Sequence, residues 1–225
     1  MLMLGIAALL WVGIHLGIAG TRLRDAIVAR IGEVPFRGLF SLLSIAAIVF
    51  LVHAWRTAET EPLWTALPWL RMTLAIVMLP VFMLFVASVT QPNPTMVGPP
   101  GIESRPALGI QRITRHPMLW SFALWAIVHM LGNGDTAALL FFGAFLITAL
   151  AGMPSIDAKL QRRNPASWAR LARATSAMPF LAIAQGRNEL RLREIGWVPP
   201  LLGTIAWGVV LALHPWLFGV PVIVH

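Results

Sequence analysis

The 225-residue chain contains no cysteine and no tyrosine, and only 9 acidic residues stand against 17 Lys and Arg. Without cysteine there are no disulfides, no iron–sulfur clusters, no thiolate-ligated haem and no Cys-based zinc site. Any metal must be held by His, Met or carboxylate. Charge of either sign is also scarce, at 12% of residues, and it is missing altogether from six segments, at about 2–20, 38–55, 72–90, 117–133, 136–153 and 196–217. A bilayer core about 30 Å thick is crossed by ~20 apolar helical residues. The fold class expected is therefore all-α: a polytopic membrane protein, a six-helix transmembrane bundle in which residues 1–225 make one transmembrane domain.

What charge there is lies in alternate gaps. Fifteen of the 17 basic residues follow the first, third or fifth segment, and the opposite side holds only Arg56 and Arg71. The positive-inside rule puts those three gaps in the cytoplasm and both termini outside it, in a bacterial-type inner membrane. The net charge of +8 then reflects topology and attraction to the anionic lipid of the bilayer, and no nucleic-acid partner is implied. The first apolar stretch has no Lys or Arg before Trp11, unlike the basic start of a signal peptide, so it is expected to be a retained span.

Two connecting stretches are more than linkers. Residues 91–115 carry five prolines, with Gly98 and Gly101; that is too many breakers for a helix, and the length suits a lid or a wall of a site. Residues 166–176 put Trp168, Leu171, Ala172 and Thr175 on one face and Arg170 and Arg173 on another. This pattern predicts a helix in the headgroup layer, entered through a break at Asn164-Pro165. Within the first span, Gly13 and Gly17 form a step at which a neighbouring helix can approach closely, and His15 points away from it.

Four histidines, His15, His53, His116 and His129, fall within spans or at their ends, where ionisable groups are rare and usually functional. His214 and His225 are expected at the surface. His116 and His129 are 13 residues apart, ~20 Å along one helix, so a two-histidine site must draw on two helices. A pair of neutral imidazoles with no carboxylate nearby suits haem iron better than hydrolytic zinc. Met130 is a further candidate for an axial thioether, although packing explains most such methionines. Phe122 and Trp125 offer an aromatic wall beside His129.

The runs Gly13-Ile14-His15-Leu16-Gly17, Gly109-Ile110-Gln111-Arg112-Ile113-Thr114-Arg115-His116-Pro117 and Leu124-Trp125-Ala126-Ile127-Val128-His129-Met130-Leu131-Gly132-Asn133-Gly134-Asp135 resemble NnrU-type membrane proteins, as does the remainder of the chain. That family includes the zeta-carotene isomerase of plants and cyanobacteria, a haem b protein, and bacterial proteins named from denitrification gene neighbourhoods. The resemblance implies haem b as cofactor, with axial ligands at His15 and His129. It also implies cis–trans isomerisation of an apolar polyene, or a non-catalytic role beside respiratory or denitrification proteins. Depth read from the span boundaries instead pairs His53 with His129, and His15 with His116, which makes His53 the reserve ligand.

Arg112, Arg115 and His116 are further cofactor-binding candidates: either arginine would suit a haem propionate. The same segment, followed by Asp157 and a Trp- and Arg-bearing helix, is also similar to the cofactor region of isoprenylcysteine-type membrane methyltransferases, where those side chains would hold S-adenosylmethionine. Such enzymes generally place a tyrosine soon after the proline, and this chain has none.

Overall fold

The computed structural model describes residues 1–95 and 105–222. The described residues are helical with short connections, and the only β-type pairing among them is an isolated bridge between Pro62 and Asp135. The helices are α1 (Leu2–Ile14), extended by a wide turn over His15–Ala19, α2 (Arg22–Ile31), α3 (Glu33–Arg56), α4 (Pro68–Thr90), α5 (Pro117–Asn133), α6 (Thr136–Arg163), α7 (Pro165–Ala174), α8 (Leu181–Ala184), α9 (Leu192–Ile195) and α10 (Val198–Phe218). Five apolar stretches are long enough to cross a membrane: Leu2–Ala19, Glu33–Arg56, Pro68–Thr90, Thr136–Arg163 and Val198–Phe218. The expected fourth span is α5, with the bounds read from sequence, but its 17 residues fall short of the ~20 of a full crossing.

Helices α1, α3, α5 and α6 share a core of Leu4, Ala7, Ala8, Leu51, Ala54, Ala126, Ala137, Ala138 and Ala144 with Phe141 and Phe142. Alanine predominates because hydrocarbon outside is as apolar as the bundle inside, so small residues that admit close packing hold the helices together. Large apolar side chains such as Leu9, Ile45, Ile76, Ile147 and Ile205 point outward, as lipid-facing residues must.

The turn between α5 and α6 is set by local chemistry. Gly134 caps α5 at φ 66°, and its carbonyl accepts from the amides of Leu63 and Trp64 at 2.8 and 3.1 Å. A Cβ there would stand 2.2 Å from the Trp64 carbonyl oxygen, so only glycine is tolerated. Asp135 then caps α6 by accepting from the Ala138 amide at 2.8 Å.

Some sequence expectations need correction. The fifth span does not end at residue 153: α6 runs through Pro154 to Arg163. A proline inside a helix removes a hydrogen bond at a cost of about 3 kcal/mol or more, and the polar turns beyond it offset that through ion pairs of Asp157 with Arg115 and of Arg163 with Asp25 and Glu33. Helix α2, absent from the sequence reading, is held by Arg24, which is buried, bonds Glu33 at 2.6 Å and lies over the Phe36 ring. Gly13 and Gly17 do not receive a neighbouring helix; no atom of another element among the described residues lies within 4 Å of where their Cβ atoms would be. The amphipathic helix expected over 166–176 forms as α7, Pro165–Ala174, with Leu171 buried and Arg170 and Arg173 exposed; the chain is already extended at Thr175.

Helix α10 docks on α4, where a close approach is used. A Cβ at Gly203 would lie 2.6 Å from the Met83 Cα, and the Trp207 indole donates to the Ala75 carbonyl at 2.8 Å. Because the obstacle is backbone, no rotamer change relieves it. Gly203→Ala is expected to destabilise the protein by about 1–3 kcal/mol, the range for overpacking. A melt in detergent checks this, and an unchanged midpoint would mean that α10 is not pressed against α4.

Candidate functional site

Two places bring chemistry-bearing residues together, one deep in the bundle and one at its charged end. In the bundle, α1 and α5 carry the same local arrangement, a tryptophan four residues ahead of a histidine. His15 Nδ1 lies 2.8 Å from the Trp11 carbonyl oxygen, and His129 Nδ1 lies 2.8 Å from that of Trp125. A carbonyl oxygen only accepts, so each Nδ1 carries the proton and each Nε2 keeps its lone pair. Neither Nε2 has a hydrogen-bond partner among the described residues.

An aromatic layer joins the two arrangements. The Trp11 and Trp125 rings both pack on Phe145, at 5.0 and 5.2 Å between centroids. His15 lies 4.0 Å from Trp11 and 5.6 Å from Phe40, while His129 lies 5.0 Å from Trp125 and 4.9 Å from Phe142. The Trp11 indole Nε1 is buried without a partner. His15 sits in the wide turn His15–Ala19, a distortion often found at functional sites.

Relative depth follows from the packing of α6. Trp11 meets Phe145 and Gly20 meets Arg162, so α1 runs parallel to α6. Trp125 meets Phe145 and His129 meets Phe142, so α5 runs against it. With the tryptophans level, each histidine Cα lies ~6 Å beyond its tryptophan, in opposite directions. Helical side chains lean toward their own N-terminus, however, so both imidazoles lean back toward the shared layer. The depth conflict read from sequence is thereby reduced.

These donors fit an imidazole-ligated haem better than a bare ion. Among the described residues no group of three or more His, Cys, Asp or Glu could hold a metal ion, whereas axial ligation takes two Nε2 lone pairs with each Nδ1–H anchored. The reserve ligand His53 is exposed on α3. Phe122 packs edge-on against Phe85. His214, in α10, lies 2.7 Å by Nδ1 from the Val220 carbonyl, and His225 lies outside the described residues.

At the charged end, Asp157 on α6 accepts from Arg115 Nε at 3.0 Å and Nη2 at 2.6 Å and pairs with His116 Nε2 at 2.8 Å. A carboxylate held by a guanidinium fork is ionised, so His116 Nε2 carries a proton and donates it; His116 Nδ1 is buried without a partner. Backbone bonds lock the same corner: Arg115 N donates to Ser176 O at 3.0 Å, and Thr114 Oγ1 and Trp120 Nε1 each donate to Ala177 O at 2.7 Å. Arg112 forks onto Glu194 at 2.6 and 2.9 Å and donates to Asn188 at 2.6 Å. The bonds from Arg112 and the Gly109 amide hold the Glu194 carboxyl down at about 2, well below the usual carboxylate range. Both candidate arginines are thus engaged by carboxylates of the chain itself.

The family model described as "NnrU protein" matches residues 1–222. The chain belongs to the NnrU family. Two curated relatives are each called 15-cis-zeta-carotene isomerase, chloroplastic. The Arabidopsis thaliana protein is 28% identical over 184 residues, 79% of this chain and 49% of that protein. The Zea mays protein is 35% identical over 82 residues, 36% of this chain and 22% of that protein. The matched region therefore spans half or less of either relative. No solved structure matches the chain.

In this NnrU family member, the sequence reading missed Glu194 and Asn188 as partners of Arg112, and the carbonyls of Thr175 and Ser176 as partners of Arg115. Glu194 lies in a four-residue helix with no periodic signal, so only the fold brings it to Arg112. The repeated Trp-x-x-x-His, present at 11–15 and 125–129, is a signal that could have been read.

Proposed function

We infer that this protein is a haem b-binding membrane protein that converts a cis double bond of an apolar polyene to trans. The observation that carries this reading is the pair of Trp-x-x-x-His arrangements whose Nε2 lone pairs lean toward one aromatic layer. The printed activity of the two curated relatives supports the reaction class, and the exposed apolar surface supports a bilayer setting. In this reading α5 is the sixth crossing, its shortness accommodated by local thinning of the bilayer. The basic gaps face the cytoplasm and both termini lie outside.

His15 and His129 would hold the haem, and the Trp11 and Trp125 carbonyls would fix each imidazole in its ligating tautomer. When bound, the haem iron supplies a redox-sensitive Lewis acid to a reaction that leaves atoms and electrons unchanged overall. Trp11, Phe145 and Trp125 would stack along a polyene entering sideways from lipid and keep water from it.

The test uses vesicles of the purified protein given a 15-cis polyene, with and without dithionite, and product isomers separated by chromatography. Conversion by the reduced protein, lost in His129→Ala, is the expected result. Equal conversion by His129→Ala would sink the reading. Haem without conversion would favour the accessory role beside denitrification enzymes. Saturable S-adenosylmethionine binding, lost in His116→Ala, would favour the methyltransferase.

A further inference from the structure

Beside the charged end lies a cavity of about 280 Å³ lined by Arg105, Arg112, Ser167, Arg170 and Asn188, with an apolar floor that includes Leu171. We propose that this cavity binds the phosphate of an anionic lipid headgroup.

Charge is the first argument. Arg112 is balanced by Glu194, which stays ionised at any physiological pH because its carboxyl is held at about 2. Arg170 donates to Ser167 Oγ at 3.1 Å, a neutral partner, and among the described residues no carboxylate reaches Arg170 or Arg105. The cavity thus presents two guanidiniums, Arg105 and Arg170, that no carboxylate among the described residues compensates, matched to a phosphate group. Guanidinium forks suit phosphate geometry.

Position is the second argument. The wall bearing Ser167, Arg170 and Leu171 is α7, an amphipathic helix that follows the polar last turns of α6 across the break at Asn164, with Trp168 half-buried and Arg173 exposed. A helix of that pattern lies at headgroup level, and basic pockets between membrane helices take lipid headgroups. A volume slightly below the ~300–1,000 Å³ of sites for drug-sized ligands suits a headgroup rather than a whole acyl lipid, whose chains would run along the exposed apolar faces outside.

The proposal does not depend on haem, and its test reads none. The full-length protein in non-ionic detergent is exchanged into phosphatidylglycerol or phosphatidylcholine, and retained lipid is counted by native mass spectrometry. Wild type should hold phosphatidylglycerol and not phosphatidylcholine. The pair R105Q/R170Q should lower retention at least tenfold, while R173Q, on the same helix but outside the cavity, should not. A helical melt verifies folding; should the double variant not fold, the single variants carry the test with a several-fold loss each. Inorganic phosphate that displaces phosphatidylglycerol at low millimolar concentration would keep the phosphate site but make a soluble phosphate its occupant. Equal retention by R105Q/R170Q and wild type, or equal retention of the two lipids, overturns the proposal.

Discussion

His15→Ala and His129→Ala are each expected to abolish the low-spin, bis-imidazole haem spectrum that the purified wild type should carry. In both residues Nδ1 is tied to the carbonyl four residues back at 2.8 Å, leaving Nε2 as the only ring atom with a lone pair to give. Alanine removes that donor. Among the described residues no group of three or more His, Cys, Asp or Glu stands ready to hold the iron in its place. His53→Ala should leave the spectrum intact, since His53 points out of α3, and so should His116→Ala, whose imidazole is engaged by Asp157 at 2.8 Å. Visible spectroscopy of dithionite-reduced and oxidised protein decides among these. A bis-imidazole spectrum surviving in His15→Ala would refute the assignment; a wild type that stays colourless after haem addition would end the haem reading.

How much of this was legible beforehand depended on which signal each feature leaves. Spans leave composition: α5 falls on residues 117–133 as read, because Pro117 and Gly134 punctuate both ends of an apolar run. Amphipathic α7 left its periodicity and the Asn164-Pro165 break. The last ten residues of α6 left neither, since hydropathy falls at Pro154 although the helix continues on ion pairs made with α2, α3 and the 112–116 turn. Gly13 and Gly17 show the reverse failure: small residues at helical spacing permit close approach but do not supply the neighbour. For the histidines, sequence spacing gave each residue's depth to within a few residues. The Trp-to-His carbonyl bond that sets the tautomer, and the antiparallel course of α1 and α5 that turns the imidazoles toward one another, are visible only once the helices are packed.

The charged end should account for the largest single loss of stability. Asp157 is 14% exposed and joins Arg115, 13% exposed, to a fully buried His116. Asp157→Ala would leave the Arg115 guanidinium largely desolvated with only the 3.5 Å contact to the Thr175 carbonyl and the Trp168 ring, and would leave both nitrogens of His116 without partners. Removing one member of a buried ion pair costs about 3–5 kcal/mol, several times the median for a surface pair. A melt in detergent should therefore show the midpoint falling by roughly 6 °C or more, using the scaling for chains of this size. Asp157→Asn should cost less, because an amide oxygen still accepts one bond from Arg115. Combining Asp157→Ala with Arg115→Met should recover part of the loss, since the stranded charge is then gone and the two substitutions are not additive. If both single variants melt with the wild type, the fork is a surface contact in effect, and the 175–177 carbonyl clamp alone must hold the 112–116 turn against α6 and α7.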